Sequence, residues 1–271
     1  MSRSLGKRVV VHDADAPILE AVGIDVRYNG RAALEDVSFH LSSGERVAVV
    51  GPNGAGKSTL FKVISGVLPP TVGEVNVAGH CPGNHICIAY VQQRSQVDWR
   101  FPVTVSDVVM MGRAGKIGLF RRPGRSDWAY VRECLAVVDM GDLGERQIGE
   151  LSGGQQQRMF IARALAQEAA LMLMDEPLSG LDIPSQEGIF DILDKLRGRG
   201  VTVMVATHDL NMAADRFDRV MLLNGRLLGI GLPGEVFTPA LLQQAYGDHL
   251  RMVQMADGVM VVSDTCCGKD L

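Results

Sequence analysis

The sequence predicts a layered α/β domain with a helical insertion. Three observations carry that expectation. Strand-like and helix-like stretches alternate along the chain, the order that builds a mostly parallel sheet covered by helices. Arg46–Val50 is a Val-rich apolar run, as in a strand buried on both faces, and it leads straight into Gly51. Leu171–Met174 is a second such run and ends at two carboxylates, Asp175 and Glu176.

The elements follow in order. Ala21–Tyr28 alternates apolar and polar residues like a half-buried strand, and Asn29-Gly30 is a hairpin signal. Ala33–Ser42 reads as the return strand, with a turn at Ser43-Gly44. Ile86–Gln92 reads as a further strand. Val103–Met111 and Ser126–Asp139 have helical spacing, separated by a loop, Arg113–Arg125, rich in Gly, Arg and Pro. Helical spacing returns at Ser152–Gln167. A strand (Leu171–Met174), a helix (Ser185–Gly198), a strand (Val201–Ala206), a short helix (Leu210–Arg216) and a strand pair about Asn224-Gly225 complete the pattern. Residues 1–17 are expected to be flexible, 18–250 to form the domain with a helical subdomain near 102–151, and 251–271 to form a tail.

Composition sets limits. Of 271 residues 46% are hydrophobic and 21% charged, which excludes wholesale disorder. A net charge of −4 argues against a general nucleic-acid coat. No run reaches the roughly 18 apolar residues of a membrane span, and the N-terminus lacks the apolar core of a signal peptide. A cytosolic chain is expected, with any membrane role exerted through a partner. The odd cysteine count and lack of CxxC argue against a disulfide scaffold. His80, Cys81, His85 and Cys87 hold zinc-type ligands, but a turn at Cys81–Asn84 leading into a strand explains them as well. Cys266-Cys267 falls in the expected tail.

The chemistry begins at Gly51-Pro52-Asn53-Gly54-Ala55-Gly56-Lys57-Ser58-Thr59. This fits G-x-x-x-x-G-K-[ST] between a strand and a helix, the context in which the motif cradles phosphates. Its glycines let backbone N–H groups wrap an anion, and the helix N-terminus adds its positive end. Lys57 would reach the outer phosphates, and Ser58 would complete a magnesium shell. Asp175, at a strand's carboxyl end, would hold the same cation, and Glu176 would polarise an attacking water.

Leu151-Ser152-Gly153-Gly154-Gln155 opens the helix that precedes the Asp-Glu strand. With it the chain resembles the ATP-binding subunits of ABC transporters, from about Ala21 to Leu250. The resemblance implies a P-loop NTPase fold of ABC type, with an antiparallel β subdomain and a helical insertion subdomain. It also implies ATP as ligand and Mg2+ as cofactor. Tyr28 resembles the aromatic that stacks on adenine, although strand packing would also account for it. Gln93 resembles the glutamine that joins Ser58 and Asp175 at the cation; Gln92, beside it, stands where many relatives have proline. Asp182, in Ser179-Gly180-Leu181-Asp182, resembles the D-loop aspartate, and His208 the switch histidine. Glu176, His208 and Gln93 are thus the implied catalytic set. Two chains head to tail would sandwich ATP between the phosphate loop of one and Ser152–Gln155 of the other.

Gln93–Pro102, Asp107–Arg113 and Gly234–Pro239 resemble the manganese, zinc and iron importer group. That likeness implies transmembrane permease subunits, an extracytoplasmic substrate-binding protein, a peripheral place at the cytoplasmic membrane face and no nucleic-acid partner. Trp99 and Phe101 are candidate anchors for the membrane subunit, or they pack within the helical subdomain. The basic stretch Arg113, Lys116, Arg121, Arg122 and Arg125 is a solvated loop or a contact with acidic headgroups. The alternatives are a soluble ABC ATPase acting on nucleic acid or ribosomes, and a transporter for chelated metal or organic cargo.

Overall fold

A computed structural model of the chain describes residues 17–80, 87–92, 98–118, 121–247, 250–255 and 258–263. Of the expected features, residues 1–16, Cys81, His85, Gln93 and Cys266-Cys267 lie outside that set. Among the described residues no group of three metal-ligand side chains gathers.

β1 (Leu19–Tyr28) and β2 (Arg31–Leu41) form a hairpin closed by Asn29-Gly30, both with positive φ as a two-residue turn requires. β4 (Val72–Val77) pairs with the other edge of β1 and completes a three-stranded antiparallel sheet. β3 (Arg46–Val50), β5 (Ile88–Val91), β6 (Leu171–Asp175), β7 (Thr202–Thr207), β8 (Arg219–Asn224) and β9 (Arg226–Gly231) form a six-stranded sheet in the order β5-β6-β7-β3-β8-β9. Its pairings are parallel except β8 with β9.

The central strands read as unbroken apolar runs because both faces are covered. Side chains alternate between two cores. Ala48, Val50, Met172, Met174, Val203 and Val205 join the core beneath the helices that follow. Val47, Val49, Leu171, Leu173, Met204 and Ala206 join a second core with α1 (Lys57–Ile64) and the antiparallel sheet.

The insertion holds α2 (Val105–Met111), α3 (Ala114–Ile117) and α4 (Arg125–Val137), then single 3-10 turns at Gly141–Leu143 and Ile148–Glu150. α5 (Gly153–Ala166) leads back to β6. α6 (Ile183–Arg197), α7 (Leu210–Arg216), α8 (Pro233–Val236) and α9 (Pro239–Tyr246) follow the later strands.

The structure refines several expectations. The loop expected over Arg113–Arg125 contains α3, and its first cation is not solvated. Arg113 pairs with Asp127 of α4 at 3.2 Å and with Glu168, and it lies over the Tyr130 ring at 4.7 Å. Lys116 joins Glu168 at 2.9 Å. These ion pairs fasten α3 and α4 to the end of α5. Arg122 and Arg125 stay exposed. Trp99 packs edge-on against Phe160 of α5, 5.8 Å between centroids, whereas Phe101 is 60% exposed, so the two aromatics part company. The segment expected as a tail contains a hairpin, β10 (Leu250–Met255) with β11 (Gly258–Ser263).

Candidate functional site

Sheet register gathers the chemistry. β3 lies between β7 and β8, and β6 lies beside β7. Val50 pairs with Thr207, and Asp175 with Ala206. Three parallel strands therefore end side by side, and Gly51, Glu176 and His208 leave them at one edge of the sheet. Open α/β sheets bind ligands at such an edge.

The phosphate loop is built by close approach. A Cβ on Gly51 would stand 2.0 Å from the Leu223 carbonyl oxygen. Gly56 has φ +95°, and a Cβ there would stand 2.6 Å from the Ala33 oxygen. No larger residue fits either place without moving backbone. The Gly225 N–H donates to the Ala55 oxygen at 2.9 Å, bracing the loop from the β8–β9 turn. Gly56 precedes α1 and offers no side chain to cap it, so the first-turn amides are left to a ligand.

Lys57 is 7% exposed and donates to the Gly51 oxygen at 2.6 Å and the Pro52 oxygen at 3.0 Å. Burial pushes its pKa down, against the opposing pull of the Glu176 and Asp175 carboxylates. A phosphate in the loop would replace those carbonyls as the partner of the Lys57 ammonium group. An open cleft of about 310 Å³ lies over the loop, lined by Tyr28, Asn53, Lys57, Ser58 and Glu176 among others. Tyr28, at the hairpin end, is 44% exposed and lines this cleft.

Asp175 accepts a hydrogen bond from the Tyr90 hydroxyl at 3.2 Å. Burial, then the Asp175 charge, drives the Tyr90 pKa up, so Tyr90 remains a donor. The sequence does not mark Tyr90 as a site residue, because nothing in a strand's pattern reveals which neighbour its side chain meets. Ser58 and Asp175 supply oxygen donors of the kind that suit a hard divalent cation.

Glu176 has φ +47°, a left-handed backbone uncommon for a residue with a side chain. Its N–H donates to the Ala206 oxygen at 3.0 Å, the last ladder bond to β7, and its positive φ turns the chain out of β6. The Glu176 carboxylate and His208 Nδ1 are 3.7 Å apart, with His208 63% exposed at its side chain. Beside them is a cavity of about 20 Å³, lined by Glu176, Ser179, Thr207 and His208. It has room for one water.

Ser152 caps α5 in a reciprocal box. Its Oγ accepts from the Gln155 N–H at 3.3 Å, and Gln155 Oε1 accepts from the Ser152 N–H at 2.9 Å. Asp182 precedes α6 without capping it through its side chain, and it is exposed. The structure thus unites Tyr28, Gly51–Thr59, Asp175, Glu176 and His208. Ser152–Gln155 and Asp182 do not line the cleft.

A strand, phosphate loop and helix, with carboxylates ending a parallel strand one place further along the sheet, define a nucleoside triphosphate-hydrolysing protein. The ABC transporter family matches residues 34–179, and the chain belongs to that family as one of its ATPases. It is 46% identical over 238 residues to the zinc transport system ATP-binding protein TroB of Treponema pallidum (strain Nichols), covering 88% of this chain and 90% of that protein. It is 44% identical over 248 residues to the manganese transport system ATP-binding protein MntB of Halalkalibacterium halodurans, covering 91% and 99%. The fold is similar to an ATP-binding cassette of an ABC transporter solved in its ADP conformation. That likeness has a TM-score of 0.75 and 25% identity, covering 86% of this chain and all of the other. Among the described residues no helix is long and apolar enough to cross a membrane.

Proposed function

We propose that the chain is the ATP-hydrolysing subunit of an importer for a divalent metal ion: manganese, zinc or iron. The observation that carries the nucleotide chemistry is the meeting of the phosphate loop, Asp175-Glu176 and His208 at one sheet edge. The metal cargo is inferred from relatives named for zinc and manganese transport that align over nearly the whole chain.

On this reading Tyr28 stacks on the adenine, and the amides of Gly51–Thr59 with Lys57 hold the phosphates. Ser58, Asp175 and Gln93 hold Mg2+, which when bound neutralises charge on the phosphate oxygens. Glu176 takes the proton from a water in the small cavity, and His208 steadies the terminal phosphate. Ser152, Gly153, Gly154 and Gln155 stand outside the cleft of their own chain and complete the nucleotide site of a second copy, with Asp182 at the same boundary. ATP then joins two copies, and hydrolysis parts them, a population shift that membrane permease subunits convert to transport. The chain works at the cytoplasmic membrane face, and an extracytoplasmic binding protein delivers cargo. Exposed Phe101 is a candidate anchor for the permease.

The test is total cell manganese, zinc and iron by mass spectrometry, comparing wild type with a Glu176→Gln strain lacking redundant uptake systems. A selective fall in one metal, restored by the wild-type chain, supports the importer and names its cargo. Unchanged levels of all three overturn the metal assignment.

A further inference from the structure

α5 and α6 meet outside the cleft along a seam with one glycine from each helix. A Cβ on Gly154 of α5 would stand 2.6 Å from Ser185 Oγ and 2.9 Å from Ser185 Cβ. A Cβ on Gly188 of α6 would stand 2.0 Å from Arg158 Nη2 and 3.0 Å from its Cζ. Each helix therefore seats a side chain of the other on bare backbone. Arg158 is half-buried there, and its guanidinium makes no hydrogen bond or ion pair among the described residues. Shape, not charge pairing, holds it. The neighbouring cation differs: Arg216 pairs with Glu187 and lies 5.0 Å over the Phe190 ring.

Both ends of the seam carry functional backbone. Gly154 and Arg158 are one turn apart on α5, directly after the Ser152 cap. On α6, Gln186 Nε2 donates to the Leu181 oxygen at 3.0 Å, tying the turn at Ser179–Asp182 to the helix. Whatever fixes α5 on α6 thus fixes Ser152–Gly154 relative to that turn.

We propose that Arg158 is a positioning residue for ATP hydrolysis. Lying across Gly188, it clips α5 to α6, so that the amides of Ser152–Gly154 and the turn at Ser179–Asp182 reach a second copy's nucleotide as one rigid piece. The proposal rests on the sandwich reading above and deepens it.

Two single variants and their combination test it in the full chain. Arg158→Ala opens the clip. Gly188→Ala evicts the guanidinium, whose flexible end can swing away, while alanine suits a helix interior better than glycine. Each single variant is expected to lower kcat about tenfold, since a displacement on the order of 1 Å can cost a hundredfold. ATP affinity by calorimetry stays within twofold, and Tm in Gly188→Ala is unchanged or raised. The double variant is no slower than either single, because both remove one contact. Full turnover in either single variant overturns the clip, as do single losses that multiply or an ATP affinity that falls in step with kcat.

A second arm reads assembly by light scattering under Mg-ATP. A dimer in Glu176→Gln that is lost in Glu176→Gln/Arg158→Ala supports the clip. A dimer in both overturns it. A monomer already in Glu176→Gln overturns the sandwich reading itself, and with it the clip's purpose.

Discussion

Two helix N-termini in this protein are rich in glycine, and they are finished differently. α1 begins after Gly56, in a left-handed conformation with no capping side chain. α5 begins after Ser152, which closes a capping box with Gln155. The first leaves its amides open beneath a cleft. The second spends part of its donor capacity on itself and does not face that cleft. An uncapped terminus beside a buried lysine can seize an anion unaided. A self-capped terminus is stable without one and suits a ligand held mainly by another molecule. The contrast matches the proposed division between holding ATP and sensing ATP held by a partner.

The strongest way to break this contrast is at the chemistry. Glu176→Gln removes the proposed base but leaves both termini intact. Turnover should fall about 10²–10⁴-fold, the range for general acid–base loss, with ATP affinity retained. Persistent phosphate release in a steady-state assay would remove Glu176 from its role. Lys57→Ala strikes the open terminus. Losing a charged hydrogen-bond donor costs about 3 kcal/mol, so ATP affinity should weaken about 100-fold in calorimetry. Unchanged affinity would mean that the loop is not the phosphate site.

Tyr28→Ala sharpens the description of the open site. Base stacking on an aromatic ring is worth about 1–3 kcal/mol, so affinity for ATP should drop about tenfold. Inorganic triphosphate, which lacks the base, should bind the variant and wild type alike. An equal loss for both ligands would assign Tyr28 to strand packing. Ser152→Ala gives the smallest effect. Loss of the cap should lower stability by about 1 kcal/mol in a denaturant melt, with ATP affinity of the single chain unchanged. A fall in that affinity would place Ser152 in its own chain's site and erase the contrast.

Much of this was legible in residue order. Arg46–Val50 and Leu210–Arg216 form their elements over the expected residues because each is bounded by strong local signals. Asp209 caps the second through the Met212 N–H at 2.9 Å. β4 carries no legible strand signal because Val72-Gly73-Glu74-Val75 mixes an exposed edge with a glycine, so no clean alternation shows. Gly73 is there because a Cβ would meet the Gly23 oxygen at 2.2 Å, a fact of the neighbouring strand. α9 has a readable start in Thr238-Pro239, with Thr238 Oγ1 accepting from the Leu241 N–H at 3.4 Å. The basic stretch misled for another reason: Arg113 finds its carboxylates 14 and 55 positions away.

By itself the sequence determined which backbone can wrap a phosphate, which strands are apolar enough to bury both faces, and where two helices begin. These are local properties: glycine freedom, β-branched or aliphatic runs and capping side chains act within a few residues. Only the tertiary structure decided that β3, β6 and β7 end together, that Tyr90 donates to Asp175, and that Arg158 crosses Gly188. Those facts depend on strand order and helix packing. They join residues far apart in the chain, where burial of the shared core, not local preference, sets the distance.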